Sequence, residues 1–379
     1  NVKTVFTNTA PVDAYRGAGR PEATYSLERV IDKAATELGL DPTNLRRQNF
    51  IKSDQFPYVT AAGLNYDVGD YDAVMDRLEH HADLKGFAKR RKKSEAKGKL
   101  RGLGINSYIE ACGIAPSNLI GTLGARVGLY DAATIRVNAT GNISVMVGAH
   151  SHGQGHETAF PQIVADLLGV DPNNVEIVHG DTSKIPFGMG TYGSRSLAVC
   201  GSAILRGVEK IISKGKKIAA HMMETTDDKV DFDEGVFSVR GTNKTVSFGD
   251  VALKAYIPHD FPIEDIEPGL EETAFYDPQN FTYPAGAYAC EVEVDPDTGQ
   301  VTIESFTAAD DFGNIINPMI VEGQVHGGLA QGIGQALLEG CVYDEDGQLI
   351  SASYMDYTMP RAADLPSFIV DHTVRTPST

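Results

Sequence analysis

The stretch Ile135-Arg-Val-Asn-Ala-Thr-Gly-Asn-Ile-Ser-Val-Met-Val147 decides the fold. Its apolar residues alternate on both sides of an Ala-Thr-Gly turn, the period-two pattern of a β-hairpin. It runs on to Gly153-Gln154-Gly155 and then to Phe160, Ile163, Val164, Leu167 and Leu168, which fall at helical spacing. A second copy follows: Glu291-Val-Glu-Val-Asp-Pro-Asp-Thr-Gly-Gln-Val-Thr-Ile303 alternates around its own turn. It leads to Gly323-Gln324 and a helical pattern at Leu329, Ile333, Leu337 and Leu338. Hairpin, Gly-Gln, helix, stated twice, reads as a pseudo-duplicated α+β fold with mixed sheets and helices packed on them. A third unit, Gly190–Ser202, reads as a glycine- and serine-rich loop feeding a helix over about Ala203–Met223.

Upstream, Pro21, Ala23, Leu27, Val30, Ile31, Ala34 and Leu38 predict a helix that Gly39 ends, with a short helix over Pro42–Asn49 after it. Residues 53–70 read as loop. Lys85–Arg101 is strongly basic and reads as a solvated helix or linker, a subunit contact being the sharper alternative. The expected organisation is therefore a tail of a first domain over 1–55, a linker and basic segment over 56–101, and a second domain over 102–379.

The 379 residues carry 33 Lys+Arg against 51 Asp+Glu, a net charge of −18, which argues against nucleic acid or an anionic membrane as the main partner. With 42% hydrophobic and 22% charged residues, the chain can bury a substantial core. No apolar run approaches the roughly 20 residues of a membrane-spanning helix. Cys112, Cys200, Cys290 and Cys341 are dispersed, so zinc and iron–sulfur spacings are absent, and they read as reduced thiols of a cytoplasmic protein. There is no P-loop, nucleophile elbow or His-Glu-x-x-His motif. The run His150-Ser-His152-Gly-Gln-Gly-His156 lacks a complementary carboxylate or thiol at ligand spacing.

Glycine is in excess, 39 residues, and clusters at Gly153-Gln154-Gly155-His156, Gly190–Ser196 and Gly323–Gly328, all read as loops that precede or open helices. Such loops let backbone N–H groups approach an anion, while Gln154, Gln324, Ser194, Ser196 and Ser202 add side-chain donors. Several attachment points of this kind suit a large phosphate-bearing cofactor; turns and helix packing are the alternative use of the same glycines. In Asp13-Ala14-Tyr15-Arg16-Gly17-Ala18-Gly19-Arg20, two arginines stand before a helix start. They are either a solvated pair or a loop presenting Arg16 or Arg20 to an anion or polar substrate.

Thr7-Asn-Thr-Ala-Pro-Val-Asp-Ala-Tyr-Arg-Gly-Ala-Gly-Arg20, Gly153-Gln-Gly-His-Glu157, Gly190–Ala203 and Glu322-Gly-Gln-Val-His-Gly-Gly328 together resemble the molybdenum hydroxylases. This is the xanthine oxidase and aldehyde oxidase family, here in the form of large subunits of the aerobic carbon monoxide dehydrogenase type. The resemblance implies a molybdopterin-binding fold and a molybdenum cofactor, in bacteria usually the cytosine dinucleotide. It implies that Gly153, Gln154, Gly155 and His156 form a cofactor loop, that Gly193, Ser194, Arg195 and Ser196 cross beneath the metal and pterin, and that Cys200, Gly201 and Ser202 cradle the dinucleotide. Gln324, with Gly327 nearby, would donate to the pterin. Arg16 would orient substrate, in a loop with Tyr15, Gly17, Ala18, Gly19 and Arg20, and Tyr108 and Glu110 would line the substrate funnel. Protein side chains would not ligate the metal.

The implied reaction is hydroxylation of a small molecule with water as the oxygen source. Electrons would leave through 2Fe-2S clusters on a small subunit to FAD on a medium subunit, in a dimer of heterotrimers. The base glutamate of the family lies in a Gly-x-Gly-Glu motif expected shortly after Pro377, and a Phe-Gly-Gly stretch is expected upstream, so the chain is expected to be truncated at both ends. A non-catalytic half of a split subunit is the alternative. Carbon monoxide oxidisers carry a copper-binding cysteine directly after the arginine; Gly17 stands there, which favours an aldehyde or N-heteroaromatic substrate over CO.

Overall fold

The computed structural model describes residues 3–114, 116–122, 124–257 and 259–378. In chain order the main elements are α1 (Arg20–Leu38), α2 (Pro42–Asn49), α3 (Tyr71–Ala82), α4 (Phe87–Glu95), β1 (Leu100–Ile109), β2 (Asp131–Val137), β3 (Ile143–Val147), α5 (His156–Leu168), β4 (Val175–Val178), α6 (Ser202–Met222), β5 (Leu270–Tyr276), β6 (Ala285–Val294), β7 (Val301–Asp311), α7 (Pro318–Leu337) and β8 (Phe368–Asp371). Two compact units result: one gathers 1–110 with 283–379, the other is 111–282.

In the second unit the sheet order is β5-β2-β3-β4, and in the first it is β1-β6-β7-β8. The two orders are the same design. An antiparallel hairpin (β2–β3, β6–β7) is followed by a helix (α5, α7) and then a strand parallel to the hairpin's second strand (β4, β8), with an antiparallel strand on the hairpin's outer side (β5, β1). The expected duplication is thus present as two mixed sheets. Both hairpins close where expected: Asn138 N–H donates to the Asn142 carbonyl at 2.8 Å, and Asp295 N–H to that of Gln300 at 2.9 Å.

The cores follow from the strand alternation. In the second unit, Ile135, Val137, Val145 and Val147 are buried with Phe160, Val164 and Leu168 of α5 and Ile204, Val208 and Ile211 of α6. In the first unit, α3 buries Val74, Met75 and Leu78 against Ile105, Ala287, Ala289 and Ala309, one face of the sheet. The other face presents Ala308, Tyr288 and Phe306 to Val325 and Leu329 of α7. The basic segment forms α4, whose Arg90 and the neighbouring Arg101 pair with the buried Glu291. Among the described residues no helix is long and apolar enough to cross a membrane.

Two local expectations are corrected. Gly323–Gly328 is the interior of a helix, because Asn317 caps it by accepting from the Ile320 N–H at 3.0 Å and Pro318 occupies its first turn. Likewise Ser196–Gly201 is a π-helical turn continuous with α6, so the loop ends at Arg195.

Candidate functional site

In the first unit the loop before α1 is set by Gly17, Ala18 and Gly19, all at positive φ (95°, 48° and 88°). At Gly17 a Cβ would stand 2.6 Å from Pro21 Cδ, so both the dihedral and the proline ring demand glycine there. The turn lays Arg16 across α7. Its guanidinium donates to the Gln324 backbone carbonyl at 2.9 Å, to Gln324 Oε1 at 3.3 Å and to Gln331 Oε1 at 3.1 Å. Gln331 Nε2 in turn donates to the Tyr15 hydroxyl at 2.6 Å. Gly327 and Gly328 lie beneath: a Cβ on either would touch the guanidinium at 3.4–3.6 Å. With Oε1 of Gln324 engaged by Arg16, its amide Nε2 is the group left to donate to a ligand.

Arg20 opens α1, with Nε 3.7 Å from Glu110 Oε1. Glu110 follows β1 and its N–H donates to the Pro284 carbonyl at 3.0 Å. Tyr108, on β1, is half-buried and donates to Asp310 Oδ1 at 2.7 Å. Burial pushes its hydroxyl well above the usual tyrosine range.

In the second unit, Gly153 and Gly155 take φ of 103° and 84°, and nothing lies within 4 Å of a Cβ built on Gly153. Gly155 precedes α5 and gives it no side-chain cap; its carbonyl accepts from the Thr158 N–H at 3.1 Å and the Ala159 N–H at 2.9 Å. Gln154 Oε1 accepts from the His152 N–H, which fixes the amide within its own loop. His156 is buried, stacks on Phe160 and has an Nδ1 without a partner among the described residues; burial and the nearby His179, His152 and His150 lower its basicity. The two loops of this unit meet through Thr191: His150 N–H donates to its hydroxyl at 3.1 Å, and Ser196 Oγ lies 2.9 Å from it.

Arg195 is not presented to a ligand. It is fully buried, with Nε donating to the Ile114 carbonyl, one terminal nitrogen to Asp131 and the Gly190 carbonyl, and the other to the Leu129 and Tyr130 carbonyls. Its role is to anchor the loop that carries Gly193 and Ser194, whose φ values are 58° and 52°. Cys200 is buried, and burial pushes its thiol far above the usual range. Gly201 packs on Leu197, and Ser202 Oγ donates to the Ala198 carbonyl at 2.7 Å. These side chains serve the helical turn.

Gln331 and Asp310 are partners that the sequence reading missed. Gln331 sits seven residues after Gln324, the same face two turns on, a signal hidden once Gly323–Gly328 is read as loop. Asp310 had no local signal. Among the described residues no group of three or more His, Cys, Asp or Glu is arranged to hold a metal ion.

A family model described as molybdopterin cofactor-binding domain matches residues 77–366, and a second of the same description matches residues 1–50. The chain is 42% identical to the carbon monoxide dehydrogenase large chain of Hydrogenophaga pseudoflava, covering 100% of this chain and 47% of that one. It is 35% identical to the nicotine 6-hydroxylase large subunit of Paenarthrobacter nicotinovorans, covering 98% and 45%. Among solved structures, quinoline 2-oxidoreductase from Pseudomonas putida 86 superposes with a TM-score of 0.90 at 36% identity, over 97% of this chain and 47% of that one. The Cu,Mo-CO dehydrogenase superposes at 0.86 with 39% identity, over 94% and 45%. The chain thus spans about half the length of the curated relatives it matches. Its duplicated mixed sheets, its Arg16–α7 clamp and the match over residues 77–366 have one reading: the chain belongs to the molybdopterin cofactor-binding domain family.

Proposed function

We propose that the chain is the molybdopterin-binding portion of a molybdenum hydroxylase that oxidises an aldehyde or an N-heteroaromatic compound with water as the oxygen source. The observation that carries this is the Arg16 clamp: a guanidinium fixed by Gln324 and Gln331 on a glycine-floored helix face, in a chain of the molybdopterin-binding family. Open backbone at Gly153 and the buried Nδ1 of His156, without a partner among the described residues, fit a polar, anionic group. Gly153, Gln154, Gly155 and His156 would hold the cofactor in the second unit, with Gly193, Ser194 and Ser196 presented by the Arg195 anchor. In the first unit Gln324 would donate to the pterin. Several anchoring loops support the cytosine dinucleotide form over the bare pterin.

When bound, molybdenum on its pterin dithiolene supplies a Lewis-acidic, two-electron redox centre. This chain's part is to bind and orient. Arg16 would keep a positive charge near a substrate carbonyl or ring nitrogen, Tyr108 on β1 and Glu110 just after it would line the funnel, and Tyr15 would shape the loop. Relatives named for nicotine and quinoline support an N-heteroaromatic substrate, and Gly17 in the copper-cysteine place speaks against CO. Electrons would leave through 2Fe-2S and FAD groups on partner subunits of a cytoplasmic dimer of heterotrimers; relatives named as a large chain and a large subunit support the existence of partner subunits.

Molybdenum and released cytosine nucleotide are to be measured in the native complex, alongside a screen of aldehydes and N-heterocycles with a dye acceptor. Absence of molybdenum overturns the reading. Gln154→Ala is expected to lower cofactor content several-fold; unchanged content removes that loop from the site.

A further inference from the structure

The register of β1, β6 and β7 sets Tyr108, Gly286 and Asp310 side by side across three strands. Gly286 leaves the middle position empty of side chain; a Cβ there would overlap both the Tyr108 ring and the Asp310 carboxyl. Through that gap Tyr108 reaches Asp310 Oδ1 at 2.7 Å, and the Tyr288 hydroxyl lies 3.5 Å from that of Tyr108, their rings packed edge to face at 5.4 Å. Asp310 is 1% exposed; Tyr288 also faces its carboxyl, and among the described residues its other oxygen, Oδ2, has no hydrogen-bond partner of good geometry. The titratable groups facing it are Tyr108 from β1 and Tyr288 from β6; Arg16 is the charge beyond Tyr288, and α7 presents Val325 and Leu329 to this face, with His326 against Phe368 and Glu322 3.8 Å from His326. A buried carboxyl with no ion-pair partner among the described residues is costly to keep unless it is used.

We propose that Asp310 is a positioning residue whose protonation state sets the donor–acceptor sense of the Tyr108 and Tyr288 hydroxyls beside Arg16. The proposal rests on the reading of Tyr108 and Arg16 as site residues. Ionised, Asp310 only accepts: Tyr108 donates to it, Tyr288, in reach of both the carboxylate and the Tyr108 hydroxyl, turns its O–H inward to them, and the remaining lone pair of Tyr288 is an acceptor complementary to Arg16. Protonated, Asp310 donates through Oδ1 to Tyr108 and no longer draws the Tyr288 O–H inward, so Tyr108 donates to Tyr288, and Tyr288 becomes a donor for a carbonyl oxygen or ring nitrogen. One solvent proton is taken up on the carboxyl, and only O–H···O senses reverse. Burial pushes the Asp310 carboxyl up to about 6, so both states are populated near neutral pH.

The test uses the full complex with wild-type, Asp310→Asn and Tyr108→Phe chains. Infrared difference spectra between roughly pH 5 and pH 8, either side of the shifted carboxyl, should show a protonated-carboxyl band at the acid end in wild type. The band should be missing in Asp310→Asn and shifted in Tyr108→Phe, which also serves if the asparagine variant does not fold. On substrate, the pH profile of kcat/KM should lose its corresponding limb in Asp310→Asn, with a fall on the order of tenfold, the worth of one hydrogen bond to a charged group. An identical band in wild type and Asp310→Asn, a band that Tyr108→Phe leaves in place, or a pH limb that persists without Asp310 each overturns the proposal. A complex that turns over neither aldehydes nor heteroaromatics overturns the functional reading instead, and the infrared titration still decides the hydroxyl switch.

Discussion

Arg195 and Asp131 meet at 2.9 Å with neither side chain exposed, and this pair pins the glycine loop of the second unit to the first residue of β2. Three further carbonyls, of Ile114, Gly190 and Leu129, complete the guanidinium's shell within 3.0 Å. Burial raises the Asp131 carboxyl even with the arginine opposing it, so removing that cation leaves an uncompensated charge. Arg195→Met is therefore expected to cost about 3–5 kcal/mol, the usual penalty for breaking a buried pair. Urea unfolding at neutral pH checks it; a cost below that of an ordinary surface change would refute the anchoring role.

Gly17→Cys would place the thiol where carbon monoxide oxidisers carry theirs, yet the backbone opposes it. A non-glycine residue at φ 95° whose Cβ meets Pro21 Cδ at 2.6 Å should destabilise the chain by about 1–3 kcal/mol. Adding Pro21→Ala removes the ring and should recover part of that loss, so the two changes are expected to be non-additive in thermal unfolding.

Gln331 holds both Arg16 and Tyr15. Gln331→Ala should lower kcat/KM on the order of tenfold, because one hydrogen bond to a charged group is lost. Molybdenum content should be unchanged, since Gln324 still binds Arg16. Steady-state kinetics with metal analysis separates this from a loss of cofactor.

Asp371 ends β8 and receives Arg77, His81 Nε2 at 2.6 Å and the Thr373 hydroxyl at 2.6 Å. Burial alone would raise its carboxyl, but these donors hold it well below the usual range. Below the unfolded value of about 4 the unfolded chain binds the proton first, so this contribution is present above that pH and fades as pH falls toward the folded value. Urea midpoints measured down a pH series should drop in acid for wild type, and less steeply for Asp371→Asn. Parallel slopes would show that another carboxylate governs acid unfolding.

Much of this was legible because it is local. The two hairpins are written in period-two alternation closed by Gly141 and Gly299, and each copy could be recognised without knowing its neighbours. The loop of Arg16 was also legible as a feature, since two arginines and two glycines before a helix are a short-range pattern. Reading Gly323–Gly328 as loop failed because glycine-rich composition outweighed the Asn317-Pro318 start signal five residues earlier. Arg195 was misplaced for a similar reason: its serine neighbours are near in sequence, whereas Asp131 is 64 positions away.

Most elements and their duplication were legible in the sequence, because hydrophobic period and turn chemistry act over a few residues, and four motifs carried the resemblance to the family. Tertiary structure decided which polar groups are spent and which are free. It buried Arg195 against Asp131, floated Arg16 over Gly327 and Gly328, and opened the space above Gly286 that joins Tyr108 to Asp310. Those outcomes depend on register and burial across distant strands, and the desolvation of a buried charge has meaning only once its partners are in place.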